Sequence, residues 1–196
     1  MEIPFQLMDP FSQVLSDVTR ALQLNGIRYA IGGSVASSVR GVWRTTFDVD
    51  LVAAIRPAQA QQFADALGPD WYADASMIHN AIVSGRSFNI IHTLLAYKVD
   101  IFPAGEDFHV AQLDRATTIP IGAARIPCLV TSAEDILLAK LRWYRDGGQN
   151  SERQWNDIVA LISSNSSLDA SYLREWATRL GVTELLEKAR ADAARA

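Results

Sequence analysis

Between Phe47 and Ala53 an apolar run of β-forming residues carries two aspartates, Asp48 and Asp50. Side chains at i and i+2 of a strand point the same way, about 6–7 Å apart. Val49 and Leu51 therefore face a core, and both carboxylates face one point on the other side. Two like charges so placed repel unless something positive sits between them. Hard divalent cations with oxygen ligands are one answer, and Mg²⁺ favours a few carboxylates plus substrate phosphates. The other is a solvent-facing edge strand whose acids do nothing.

Two further features belong beside this pair. Ile27 to Ile31 is a short β run that enters Gly32-Gly33-Ser34, with Ser34 expected as the N-cap of a helix through about Arg40. Glycines let backbone approach a ligand, and a helix start offers N–H groups to phosphate. The turn lacks the Gly-Lys-Ser/Thr of a Walker loop and the third glycine of a dinucleotide loop. The second feature is Asp100, inside the β run Tyr97 to Phe102 with Val99 and Ile101 on the opposite face. Asp100 either pairs with its same-face neighbour Lys98 or adds a third carboxylate, which would let two metals be held.

The remaining chain divides in two. Residues 9–24 show apolar spacing of an amphipathic helix ended by Asn25-Gly26, and Pro57 to Leu67 fits a helix with proline in its first turn. Trp71–Tyr72, Ala81–Val83, Phe88–Thr93 and Tyr97–Phe102 read as strands, the last two as a hairpin. Residues 109–131 read as short strands broken by Pro120 and Pro127. Thr131 or Ser132 then caps a helix running to Gly147-Gly148, and helices follow at about 151–163, 169–180 and 182–194. The expectation is an α/β (α+β) protein: a unit over 1–131 with a mixed sheet flanked by helices, and a helical bundle over 132–196.

Composition narrows the function. The chain of 196 residues has 18 basic and 22 acidic residues, a net charge of −4. A protein living by non-specific nucleic-acid binding is usually basic. The single cysteine, Cys128, has no partner for an internal disulfide and reads as a small buried hydrophobe. No run of about 18 apolar residues predicts a membrane span. The start, with acids and prolines, does not read as a signal peptide, so a cytoplasmic protein is expected.

Lys140 is one of three lysines and has Ile136, Leu137, Trp143 and Tyr144 as its helical neighbours. A lysine on an apolar stripe snorkels, pairs (here with Asp157), or faces a cleft that binds an anion. Trp143, Tyr144 and Trp155 with Arg142, Arg145 and Arg153 are either an aromatic-basic RNA surface or helix packing with solvated charge. His79, His92 and His109 have no ligand-like spacing.

Gly32-Gly33-Ser34, then Arg44-Thr45-Thr46-Phe47-Asp48-Val49-Asp50-Leu51, then Lys98-Val99-Asp100-Ile101 resembles the polymerase-β-type nucleotidyltransferase superfamily. The stretch from Ser132 to Lys140, with Arg153 and Asp157-Ile158, is similar to AbiE-type toxin nucleotidyltransferases and their uncharacterised bacterial relatives. The resemblance implies a nucleotidyltransferase fold and the transfer of a nucleoside monophosphate from an NTP to an acceptor hydroxyl, with release of pyrophosphate. It implies Mg²⁺ or Mn²⁺ on Asp48, Asp50 and Asp100, a triphosphate held by the Gly32-Gly33-Ser34 turn, and charge neutralisation by Arg44 and Lys140. The implied acceptor is tRNA or another RNA, with an antitoxin protein as partner. A protein side chain and a small hydroxylated molecule such as an aminoglycoside stay open as acceptors. The rival reading is a catalytically inactive nucleotide-binding or interaction module on the same fold.

Overall fold

The Asp9 carboxylate accepts the Ser12 amide at 3.0 Å and the Ser12 hydroxyl at 2.6 Å, and Pro10 fills the first turn of helix α1 (Pro10–Leu24). The computed structural model describes residues 8–41 and 48–195. Of these, 8–34 and 48–131 form one compact unit, and 35–41 with 132–195 form another.

The first unit is built on one seven-stranded mixed sheet among the described residues. Its strands are β1 (Tyr29–Ile31), β2 (Asp48–Ala53), β3 (Trp71–Tyr72), β4 (Phe88–His92), β5 (Tyr97–Pro103), β6 (Thr117–Ile121) and β7 (Ile126–Val130). They lie in the order β3-β4-β5-β2-β1-β7-β6. β2 runs parallel to β5 and β1 parallel to β7, while the remaining neighbours are antiparallel. β4 and β5 form the expected hairpin, and β4 alternates buried and exposed residues along its length.

One face of the central strands is fully covered. Val49, Leu51, Ile90, Val99 and Ile101 are all at most 1 % exposed. Among the described residues the opposite face carries its apolar cover at one end. There helix α5 (Asp107–Asp114) sets Leu113 in one cluster with Ala30 and Val52, with Phe102 and Ala104 packed against them. Val52 follows Asp50 by two residues, and Phe102 follows Asp100 by two. The helix thus stops water at that end and leaves the acid-bearing ends of β2 and β5 open.

Three local expectations change. Helix α2 spans Gly33–Val39, so Ser34 lies inside its first turn and does not cap it. Ala81–Val83 is the end of helix α4 (Ala75–Val83), not a strand; the Asp74 carboxylate caps it by accepting the Met77 amide at 2.7 Å. Residues 107–114 form α5 ahead of the β6–β7 hairpin, where strands broken by proline were expected; Pro120 and Pro127 sit opposite each other in that hairpin. Pro57 opens a short 3-10 turn that runs into helix α3 (Ala60–Leu67).

The second unit holds α6 (Ala133–Asp146), α7 (Glu152–Ser163), α8 (Ala170–Leu180) and α9 (Thr183–Ala193). Ser132, Ser151 and Asp169 cap three of these by accepting first-turn amides. Leu137, Leu141, Ile158, Leu161, Leu173 and Leu186 are fully buried between them. Asp135 is also fully buried, held by the Tyr172 hydroxyl at 2.6 Å and the Ser132 hydroxyl at 2.7 Å. No helix among the described residues is long and apolar enough to cross a membrane.

Candidate active site

Parallel pairing of β2 with β5 brings the three expected acids together. Asp50 is the Cα partner of Asp100, and Asp48 is the partner of Lys98. Paired residues on neighbouring strands share a face and lie about 5 Å apart. Asp48, Asp50, Lys98 and Asp100 therefore make one charged square on the open face. Asp48 is the most exposed of its acids, and Asp100 is largely sheltered.

The glycine turn joins the same square. β1 lies antiparallel to β2 with Ile31 opposite Leu51, and the Gly32 amide donates to the Asp50 carbonyl at 2.8 Å. That amide is committed to the sheet, and Gly33 and Ser34 follow it at the start of α2. Gly33 has φ +56°, and a Cβ built on it would fall 1.8 Å from Asp50 Oδ2. Any side chain at this position would push the carboxylate away, so here glycine is required both by φ and by space.

Lys98 supplies the positive charge inside the square. Its Nζ donates to Asp100 Oδ2 at 2.6 Å and stands 4.0 Å from Asp48 Oδ1. The hydrogen bond to Asp100 pushes the Lys98 pKa up, the charges of Asp100, Asp48 and Asp50 add to it, and partial desolvation opposes it. Of the two outcomes open for Asp100, the lysine pair is therefore formed. Among the described residues no three His, Cys, Asp or Glu side chains are gathered as metal ligands. The oxygen-only donor set is nevertheless the type a hard divalent cation takes, and an ammonium already stands among these carboxylates as a cation.

The open face continues past the acids. Asn89 is the register partner of Asp100, and Ile91 is the partner of both Lys98 and Tyr72. Tyr72 is 54 % exposed and Ile91 37 %. A planar aromatic and an aliphatic side chain thus extend the charged square toward the sheet edge. The sequence signal for Asn89 and Ile91 is the alternation of β4, whose outward positions they are; Tyr72 lies on β3.

Two further site residues were expected, Arg44 and Lys140. Arg44 is outside the described residues. Lys140 is on α6 in the second unit, where its Nζ donates to Asp157 Oδ2 at 3.1 Å. The pair is well sheltered, with side chains 12 % and 18 % exposed. Of the aromatic and basic residues of that unit, Tyr144 and Trp155 are engaged in packing. Tyr144 is buried and its hydroxyl donates to the Gln149 carbonyl; Trp155 stacks near Tyr144 and donates to Asp192, with Lys188 over its ring. Trp143 is exposed.

No protein-family model matches the chain, and no curated protein matches it. Solved structures do. The solution structure of the antibiotic-resistance factor ANT(2'')-Ia superposes with a TM-score of 0.54 at 14% identity, over 94% of this chain and 99% of that one. The crystal structure of ANT(2'')-Ia in complex with adenylyl-2''-tobramycin gives a TM-score of 0.56 at 15% identity, over 88% and 98%. An antigenic nucleotidyltransferase-like protein from Paracoccidioides brasiliensis aligns at 18% identity over 89% and 90%, with a TM-score of 0.47. The mixed sheet with its flanking helices is therefore the nucleotidyltransferase fold expected from the sequence, shared with ANT(2'')-Ia over nearly the whole chain.

Proposed function

We propose that the protein transfers a nucleoside monophosphate from an NTP to an acceptor hydroxyl and releases pyrophosphate. The observation that carries this reading is the Gly33–Asp50–Asp100 alignment. The turn sits against one carboxylate, and strand register sets a second carboxylate beside it.

In this reading Asp48 and Asp50 hold Mg²⁺ or Mn²⁺, and Asp100 completes the carboxylate set facing the acceptor. A bound divalent cation supplies charge neutralisation on the triphosphate and makes the acceptor hydroxyl easier to deprotonate. Gly33 and Ser34 grip the β- and γ-phosphates. Arg44 adds positive charge next to the acid strand in sequence. Lys140, paired with Asp157, is left out of the proposed chemistry. The acceptor approaches over the open face beside Asn89, Ile91 and Tyr72.

Two acceptor classes are supported from different sides. The likeness of the second unit to AbiE-type toxins points to tRNA or another RNA, and with it to an antitoxin partner. The fold shared with ANT(2'')-Ia, solved with adenylyl-2''-tobramycin, points to a small hydroxylated molecule. The test is incubation of the protein with each α-labelled NTP, Mg²⁺, total tRNA and an aminoglycoside panel, resolved by gel and thin-layer chromatography. Label is expected on one acceptor class with the wild type and on none with Asp50→Asn. Label transferred equally by both proteins would overturn the assignment.

A further inference from the structure

Three carboxylates on one sheet face leave a metal-free protein with uncompensated repulsion. In this chain the compensation is built in. Lys98 stands two residues before Asp100 on β5 and directly across from Asp48 on β2. Its ammonium reaches both, at 2.6 Å and 4.0 Å. A tethered cation of this kind is present at a fixed local concentration and cannot diffuse away. Its bond to Asp100 is the stronger part, since Asp100 is the sheltered partner, 22 % exposed, and charge-assisted hydrogen bonds gain from shelter.

We propose that Lys98 is a resident counter-cation that competes with the divalent metal for the carboxylates of this site. This rests on the nucleotidyl-transfer reading in so far as those acids are its metal ligands. The ammonium engages Asp100 Oδ2 and offsets the charge of that carboxylate, so a metal at the remaining oxygen meets a weaker ligand and a like charge beside it. A divalent cation arriving alone therefore works against the lysine. A cation arriving with an NTP brings extra phosphate ligands and an anion to receive the displaced ammonium, which stays within the same cleft. Lys98 is thus a positioning residue: it holds the acids ready in the empty protein, and it favours loading of metal together with nucleotide over metal alone.

The experiment is Mn²⁺ titration of the full-length protein without nucleotide, reading free Mn²⁺ by electron paramagnetic resonance. The proteins are wild type, Lys98→Met, Lys98→Arg and Asp50→Asn, each first confirmed as folded by thermal melt. Lys98→Met removes the competing charge and keeps the stem. It is expected to bind Mn²⁺ about tenfold tighter than wild type, and Lys98→Arg, which keeps a cation, to stay within about threefold. An affinity of Lys98→Met equal to or weaker than wild type, with binding still lost in Asp50→Asn, would overturn the competition and leave the metal site standing. Mn²⁺ binding indifferent to Asp50→Asn would overturn the metal site itself, and the competition with it.

Discussion

The Cα of Gly33 faces the carboxylate of Asp50 so closely that a methyl group there would overlap its Oδ2. Gly33→Ala is therefore strained in two ways, by its φ of +56° and by the carboxylate it must displace. The expected loss is about 1–3 kcal/mol of stability by denaturant melt, with a fall in nucleotide transfer of tenfold or more. A Gly33→Ala protein as stable and as active as wild type would show that the turn and the acid do not act together.

The Lys140–Asp157 pair is expected to behave as a structural unit. Removing one sheltered partner takes the ion pair from the other, at a cost of about 1–3 kcal/mol. Lys140→Met and Asp157→Leu should each lower stability by that order, and the double variant should recover most of the loss. A Lys140→Met protein that keeps its stability but loses NTP affinity would instead place Lys140 at the phosphates.

Asp17 links stability to pH. It lies buried on α1, and burial pushes its carboxyl pKa up, against a partial offset from Trp71 and then from Arg20 at 3.8 Å. An acid with a raised native pKa binds a proton more readily in the native state than in the unfolded one. Its favourable contribution is full below about 3.8 and is lost as pH rises through the native value. Melts of wild type and Asp17→Asn from pH 3.5 to 8 should therefore diverge upward, with the variant gaining on the wild type as pH rises. A constant difference would remove Asp17 from the pH dependence.

Cys128 is fully buried and its thiol is pushed up to about 12 by that burial. The thiolate is the reactive form, so the native protein should react with a thiol reagent only on opening or unfolding. Stoichiometric labelling within seconds at neutral pH in the folded protein would contradict this.

Much of the site is legible in the sequence because strand alternation is a local property. Val49 and Leu51 against Asp48 and Asp50, and Val99 and Ile101 against Lys98 and Asp100, each sort themselves onto two faces without tertiary information. The Asp50–Asp100 register is different. It depends on a parallel pairing across a long connection, and nothing local states it. The choice between a lysine pair and an open carboxylate at Asp100 was likewise visible only as a choice. Helix α4 was missed because Ala81-Ile82-Val83 has β-forming residues, while the Asp74 cap that starts the helix lies seven residues earlier. Helix α5 was missed because its apolar residues make no clear stripe: Phe108 and Leu113 are buried, but Val110 between them is exposed. The helices from α6 onward were placed to within a residue or two, since α6, α7 and α8 each have a Ser or Asp cap close to an apolar stripe and Gly181 separates α8 from α9.

The most direct test of the account is calorimetric titration of each NTP with Mg²⁺ into wild type and into Asp48→Asn/Asp50→Asn. The account predicts binding of at least one NTP by the wild type and a loss of at least about tenfold in the variant, since both acids would have lost their charge toward the metal. Equal affinity in the two proteins would contradict it.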